Sequence, residues 1–255
     1  MTGEKASENT AVRSLDRGLQ ILDAFFQSEV QSLSQIANVV DLPKSTTHRL
    51  LMTLHSRGYV TTVVGESGMY QIGVKGMWFT SARNRIHRQL VALQTASGET
   101  ANFGVVVGNE VEYVDRVISD HALRWGVDIG SRIQMHSSGM GKAILAFRDD
   151  LVPEDADFPK RTDRTISNIV ELRAQLDVVR HHGFAIDDEE FIDGVRCIAA
   201  PVRDESSHVV GALSVSGPAV RFTRDVAHAF GPVLLDAAAN VSTALGYTAP
   251  KAQQP

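Results

Sequence analysis

One segment, residues 42–60, constrains this chain more than any other. Its sequence, LPKSTTHRLLMTLHSRGYV, holds three basic residues and two histidines but no acid, in a chain whose net charge is -5. The asymmetry extends further, because residues 42–98 carry seven Lys and Arg residues and a single acid, Glu66. A basic first third joined to an acidic remainder is typical of a nucleic-acid-binding domain attached to a second module. A solvated basic face is the alternative that charge alone leaves open.

Three short helical patterns surround this segment. Residues 14–26, SLDRGLQILDAFF, place apolar side chains at helical spacing. Ser32 stands three residues before Gln35, a capping-box arrangement that predicts the start of a second helix. Pro43 suits the first turn of a third helix, which Gly58 closes. The predicted apolar stripe of the first helix is Leu15, Leu19, Leu22 and Phe26, widened by Ile21 and Phe25.

Two short helices joined by a tight turn, with a supporting helix before them, predict a helix-turn-helix, although any three-helix bundle shares this pattern. The third helix favours DNA binding because its first turns carry no acid, whereas acids usually stabilise helix N-termini. The residues expected at DNA are Arg17, Lys44, Ser45, Thr46, Thr47, His48 and Arg49. Thr46, Thr47 and Arg49 are expected to read bases, and the lysine, the serine and Arg17 to contact phosphates. After Gly58, GYVTTVVGESGMYQIG predicts two strands around a glycine-rich turn, which form a wing.

These motifs resemble the N-terminal domain of the IclR family of bacterial transcription regulators. The resemblance lies in RSLDRGLQILDAF, LSQIA, LPKSTTHRLLMTL, GYV and YQIG. It implies a linker helix in KGMWFTSARNRIHRQLVAL, residues 75–93. One departure is Asp41, which stands in the turn where the family usually has glycine. If that position requires a left-handed backbone, Asp tolerates it better than most residues but less well than Gly.

The second half of the chain changes to short strands and loops. ANFGVVVGNEVEYVDRVIS predicts a hairpin around a GNE turn, and CIAAPVRDESSHVVGALSVSG predicts two more strands. Helical patterns occur in HSSGMGKAILAF, in NIVELRAQLDVVRHHG up to Gly183, and from an N-cap at Thr223 to about Leu245. Hairpins alternating irregularly with helices predict an α+β domain in which helices pack against a sheet.

This half also resembles the family, whose effector domain has a GAF-like fold. The match lies in GFAIDDEEFIDGVRCIAAPV and HSSGMGKA, and with the first half it covers residues 12–246. It implies a small organic or aromatic acid as effector, with its carboxylate at the backbone N–H groups of Gly139 and Met140. The remaining wall is implied to be Trp125, Asp187, Val195, Cys197, Ser214 and Ser216. The residues support this in part, since a glycine-containing loop entering a helix can bind an anion and the two serines share one face of a strand.

The expected organisation has four parts. A winged helix-turn-helix domain occupies residues 12–74, a linker helix 75–93, a GAF-like antiparallel sheet domain with flanking helices 94–247, and a disordered tail 248–255. The expected partners are double-stranded operator DNA, a small-molecule effector and further copies of the chain, as a dimer or tetramer. No cofactor or metal is expected. The chain is expected in the cytoplasm, since it lacks an apolar run of membrane-spanning length and a signal-peptide core, and its one cysteine fits a reducing compartment.

Classes of function other than transcription regulation fit the sequence less well. Cys197 with His181 or His182 could form a nucleophile–base pair, but a cysteine among apolar neighbours on a strand is more often a small buried hydrophobe. GMGK is no phosphate loop, because His136 and Ala143 replace residues that this motif requires. A metal site made from His121, His136, Asp187 and Cys197 lacks a spaced ligand pair. A small-molecule sensor without DNA binding stays open, although it has no reason to keep an acid-free helix face.

Overall fold

A computed structural model describes residues 12–25, 28–63, 65–154 and 157–248, with backbone alone at residues 74, 75 and 77–81. The chain divides into two compact units after Ser81. Phe26 of the predicted stripe and the predicted tail from residue 249 onward lie outside the described residues. Among the helices that the structure describes, none has the length and apolar character needed to span a membrane.

The first unit combines three helices with a three-stranded antiparallel sheet. The helices are α1 (Arg13–Ala24), α2 (Leu33–Val39) and α3 (Lys44–Ser56), and the strands are β1 (Val30–Ser32), β2 (Val60–Thr62) and β3 (Met69–Ile72). The β2–β3 hairpin is the predicted wing. Strand β1 was not predicted, and it pairs with the other edge of β3. The winged helix-turn-helix fold predicted from the sequence is therefore confirmed.

The buried face of α1 differs from the prediction. Leu15 and Leu19 are 63% and 51% exposed, whereas Ile21, Ala24 and Phe25 are buried with the core residues of α2 and α3. Helical spacing identifies an apolar stripe but does not say which of its turns another element covers. Only the last turns of α1 contribute to this core, so the prediction was wrong for Leu15 and Leu19.

Local signals around α2 and α3 are confirmed. The Gln35 N–H donates to Ser32 Oγ at 3.3 Å, and the Ser32 N–H donates to Gln35 Oε1 at 2.8 Å, which completes the capping box. Asp41 has a φ of 49°, so the turn between α2 and α3 does require the left-handed backbone there. Pro43 is the N-cap of α3 rather than its first residue. These contacts fix the start of both helices.

The second unit is built on a six-stranded antiparallel sheet with the strand order β6-β5-β4-β9-β8-β7. Its strands are β4 (Thr100–Val107), β5 (Glu110–Val117), β6 (Arg132–Gln134), β7 (Ala185–Asp188), β8 (Val195–Arg203) and β9 (Val209–Pro218). Its helices are α5 (Gly139–Leu145), α6 (Ile169–His182) and α7 (Arg224–Ala244), together with the later part of α4 (Val74–Ser97). Helices α5 and α6 pack on one face of the sheet, and α7 with α4 on the other. The α+β class is confirmed.

A bulge in β5 places the side chains of Tyr113 and Asp115, which are two residues apart, on opposite faces of this sheet. Gly104 pairs with Tyr113 and Phe103 pairs with Asp115, so Val114 is the extra residue. Tyr113 belongs to the core beneath α5, whereas the buried Asp115 carboxylate lies 3.0 Å from Nδ1 of His87 on α4. The same strand therefore contributes to the core beneath α5 and to the attachment of α4.

Candidate functional site

The outer face of α3 is the candidate DNA-binding surface. Lys44, Ser45, His48 and Arg49 are exposed, Thr46 is half-buried, and the first turn of the helix contains no acid. Positions 45, 48, 49 and 52 follow the i, i+3, i+4, i+7 spacing, so they form one stripe along the helix. Arg17 is exposed on α1 in the same unit. The exposed stripe can donate hydrogen bonds to phosphates and base edges.

Thr47 contradicts the prediction that it reads a base. Its side chain is fully buried, and its hydroxyl donates to the Pro43 carbonyl at 3.2 Å. With Leu51, one turn later, it forms the buried side of α3. A side chain in that position packs against the core of the first unit and cannot reach DNA, so Thr47 leaves the set of proposed contacts.

The second unit contains a cavity between the sheet and α5, here called the cup. Every residue predicted for the effector site lies on its wall: Trp125, Gly139, Met140, Asp187, Val195, Cys197, Ser214 and Ser216. Sequence reasoning missed four more wall residues, which are Tyr113, Ile133, Ser138 and Phe191. Phe191 lies within the signature, between the Asp187 and Cys197 positions, but that position alone does not indicate that its side chain lines the cup. Ile133 could not have been found, since its three-residue strand β6 carries no signal of its own.

Hydrogen-bond donors converge on the cup from two sides. On α5, Ser138 Oγ accepts from the Gly141 N–H at 3.1 Å, while the N–H groups of Gly139 and Met140 belong to the first turn, which has no acceptors within the helix. On the sheet, the buried Asn102 amide donates to Ser214 Oγ at 3.2 Å and to Ser216 Oγ at 3.4 Å. This arrangement can bind a carboxylate without a cationic side chain.

Asp187 is the acid on the cup wall. It is 2% exposed, and its Oδ1 accepts from the backbone N–H groups of Glu190 at 2.7 Å and Phe191 at 3.3 Å. Burial raises the pKa of Asp187 to about 7, although the nearby Lys142 ammonium acts in the opposite direction. That ammonium donates to the Ile186 carbonyl at 2.7 Å and to Glu190 Oε1 at 2.5 Å. Asp187 therefore titrates near neutral pH inside the candidate ligand site.

The cup is small. Its free volume is about 10 Å³, which is room for about one water molecule. Met140 is 2% exposed, and its Sδ would lie 3.0 Å from a Cβ built on Gly104, so its side chain occupies space above that glycine. Met140 therefore narrows the cup. An organic acid can enter only after a wall side chain moves.

The alternative chemistries find no support in the geometry. The His182 ring packs against Phe184 and His228, with centroid separations of 5.8 and 5.9 Å, whereas Cys197 lies on the cup wall. Burial, reinforced by the Asp187 carboxylate, raises the pKa of the Cys197 thiol, which is opposite to the shift that an activated nucleophile needs. Within the described ranges, no three His, Cys, Asp or Glu residues are arranged to hold a metal ion.

Comparison with known proteins covers both units. The IclR helix-turn-helix domain matches residues 14–63, and the bacterial transcriptional regulator IclR C-terminal domain matches residues 80–243. The chain is 36% identical over 249 residues to the transcriptional repressor IclR of Escherichia coli (strain K12), which covers 92% of this chain and 90% of that protein. It is 34% identical over 257 residues to the HTH-type transcriptional repressor AllR of Klebsiella pneumoniae, covering 95% and 93%. These relatives regulate transcription and are not enzymes.

Two solved structures share the fold. The crystal structure of Thermotoga maritima IclR has a TM-score of 0.61 and 27% identity, with coverage of 93% of this chain and 100% of that chain. An IclR homolog from Microbacterium hydrocarbonoxydans, complexed with 4-hydroxybenzoate, has a TM-score of 0.57 and 22% identity, with coverage of 91% and 98%. The second similarity extends to the fold alone.

Proposed function

Because the chain belongs to the IclR family of DNA-binding transcription regulators, we propose that it binds operator DNA through α3 and releases or retains that DNA in response to a small organic acid. The observation that carries the proposal is the pairing of an exposed, acid-free α3 stripe with a polar cup in the second unit. Such a regulator acts on a catabolic operon in the bacterial cytoplasm. Both sites must influence each other's affinity equally, since coupling between two ligands is reciprocal.

The DNA contacts follow from the polar residues on the outer face of α3 and from Arg17 on α1. Arg49 can bond a guanine in bidentate fashion and Thr46 can contact a neighbouring base, while Lys44, Ser45 and Arg17 hold phosphates. His48 lies on the same face of α3, and a nitrogen of its ring can form a hydrogen bond with the DNA. In a homodimer, or a dimer of dimers, two such helices bind the half-sites of a partly palindromic operator. The exposed Leu15 and Leu19 offer an apolar surface for that assembly.

The effector class follows from the donors in the cup. The first-turn N–H groups of Gly139 and Met140 would bind a carboxylate, and Ser214 and Ser216 would bind the rest of a small acid. Asp187, whose Cβ would lie 3.7 Å from a Cβ built on Gly139, would meet the ligand beside the N–H group of that glycine. The 4-hydroxybenzoate bound by the Microbacterium hydrocarbonoxydans homolog is an acid of this class. Boundaries of 12–74, 75–93 and 94–247 remain our proposal for the DNA-binding, linking and effector parts.

Fluorescence anisotropy tests the proposal. The protein is titrated against the DNA upstream of its own gene and against a random fragment of equal length, at several salt concentrations. A preference for the upstream DNA, with log affinity falling by about 0.9 per phosphate neutralised for each tenfold rise in salt, would support a site-specific regulator. Equal and weak binding to both fragments, and to a wider set of promoter fragments, would instead favour a small-molecule sensor that does not recognise DNA. Adding 4-hydroxybenzoate and smaller acids to the specific complex then screens the effector.

A further inference from the structure

A second, much larger cavity lies beside the cup, and we call it the vestibule. Its volume is about 540 Å³, and Lys160, Arg161, Asp193 and Phe191 lie on its wall. Lys160 and Arg161 are both exposed, so two cationic side chains face one carboxylate. Phe191 also lies on the wall of the cup. One aromatic side chain therefore separates a basic surface cavity from a polar pocket that holds about one water molecule.

The Phe191 ring is held in place from the vestibule side. The Arg161 guanidinium carbon lies 4.1 Å from the ring centroid, a cation–π contact, and Arg161 Nε donates to the Phe191 carbonyl at 3.3 Å. The backbone before the ring is anchored separately, since the hydroxyls of Thr162 and Thr165 donate to the Glu189 and Glu190 carbonyls at 2.8 and 2.7 Å. The backbone is anchored and the ring is only half-buried. Rotation of the Phe191 side chain is therefore an easier way to open the cup than movement of the whole segment.

We propose that anionic ligands reach the cup from the vestibule by displacing the Phe191 ring, and that Arg161 both attracts the anion and holds the ring closed. This inference rests on the proposed role of the cup as the effector site. Lys160 and Arg161 outnumber the one carboxylate on the wall, Asp193, so the vestibule carries a net positive charge that raises the local concentration of an organic acid. An incoming carboxylate also competes with the ring for the Arg161 guanidinium. Phe191 thereby becomes a determinant of which acids enter, according to their charge and size.

Trp125 is the competing gate. It is also a large, half-buried side chain on the cup wall, but its backbone carbonyl accepts from Thr100 Oγ1 at 2.7 Å. Trp125 does not line the vestibule. Substitution of Trp125 therefore provides a matched control for loss of an aromatic side chain from the same wall.

The single cysteine of the chain gives a test that needs no knowledge of the effector. Cys197 lies on the cup wall, so its alkylation rate reports access to the cup. Intact protein is treated with iodoacetate, which is anionic, or iodoacetamide, which is neutral and of similar size, and modification is followed by mass spectrometry. The reactivity of the thiol itself slows both reagents alike and cancels in the ratio of the two rates.

We expect Phe191→Ala to raise both rates on the order of tenfold, because it removes the barrier to local opening. Arg161→Gln should raise the iodoacetamide rate and lower the iodoacetate-to-iodoacetamide ratio. Lys160→Gln should lower that ratio by up to about fivefold, with the iodoacetamide rate unchanged. Trp125→Ala also removes a side chain from the cup wall, so it should raise both rates, but by less than Phe191→Ala does, and it should leave the iodoacetate-to-iodoacetamide ratio unchanged.

Several outcomes would overturn the proposal. They are unchanged rates in Phe191→Ala, a larger acceleration in Trp125→Ala than in Phe191→Ala, or an unchanged reagent ratio in both basic-residue variants. Thermal melts by circular dichroism identify any variant that is unfolded. If Phe191→Ala is unfolded, Phe191→Leu and Arg161→Gln are used to test the proposal. Operator binding by the same proteins is measured separately, so failure as a DNA-binding regulator is distinguishable from failure of the gate.

Discussion

Replacing Asp187 with asparagine should remove a pH dependence from the stability of the second unit. The asparagine side chain would keep an Oδ1 acceptor for the two backbone N–H groups that the carboxylate now accepts, but it cannot ionise. In the folded protein the pKa of Asp187 is raised to about 7 from the value of 3.8 that the unfolded chain approaches. The folded state therefore binds a proton that the unfolded state has already released between these two pH values.

The sign of the effect is opposite to that of a salt-bridged carboxylate. With a raised folded pKa, the contribution of Asp187 is most favourable below pH 3.8 and is lost as pH rises towards 7, at about 1.4 kcal/mol per pH unit. Two of these units lie between pH 5 and pH 7, so the unsubstituted protein should lose about 3 kcal/mol between pH 5 and pH 8 from this group. Solvent penetration into the cup reduces that value. The Asp187→Asn protein should lack this loss.

Urea unfolding at pH 5, 6, 7 and 8 measures the difference. Two units need not unfold together, so a Trp78→Phe background leaves Trp125 as the one fluorescent tryptophan, which reports on the second unit. Asp236→Asn, on the exposed side of α7, is the control and should follow the unsubstituted protein. If the unfolding free energies of the Asp187→Asn and unsubstituted proteins change in parallel with pH, the carboxyl is not held neutral by burial and the reasoning is wrong.

Three further predictions concern the two candidate sites. Arg49→Ala should weaken operator binding by about 1–3 kcal/mol and reduce the preference for one base at one base pair of the operator. Thr47→Val should leave operator preference unchanged in a competition assay, because the Thr47 side chain is buried. Met140→Ala should lower the unfolding free energy by about 2–5 kcal/mol, because it removes a buried side chain. The same substitution should make 4-hydroxybenzoate raise the melting temperature by more than acetate does, because the cup becomes wider. Equal increases in melting temperature with the two acids would mean that Met140 does not limit the cup. In urea unfolding, Asp41→Val should destabilise the first unit by about 1–2 kcal/mol more than Asp41→Gly, since only glycine adopts a φ of 49° without strain. Equal stability of the two variants would refute that interpretation.

Signals that act within a few residues were readable from the sequence. The capping box at Ser32, the N-cap at Thr223 and the end of α6 at Gly183 all occur in the structure as predicted. Each depends on a hydrogen bond or a backbone angle set by neighbours three or four residues away. The GNE hairpin between β4 and β5 also follows, because a short turn fixes its register.

The candidate site was predictable where a motif carried it. The signature around Asp187 and Cys197 placed the cup, and the serines at 214 and 216 share a face because side chains alternate along a strand. Phe191 was missed, since its membership of the wall depends on how the segment after β7 folds back over the sheet. The vestibule was not predictable at all, because its walls come from segments around positions 134, 160 and 191.

The sequence by itself determined the family, the two kinds of unit, the helix ends at Ser32, Gly183 and Thr223, and the basic character of α3. Only the tertiary structure decided which sides of the helices are covered. Thr47 is buried while Leu15 and Leu19 are exposed, because each residue turns by about 100° around a helix axis and packing sets where that rotation starts. The tertiary structure also decided that burial raises the pKa of Asp187 to about 7 and that Phe191 lies on the walls of two cavities. These properties depend on desolvation and on contacts between distant segments, which no local pattern encodes.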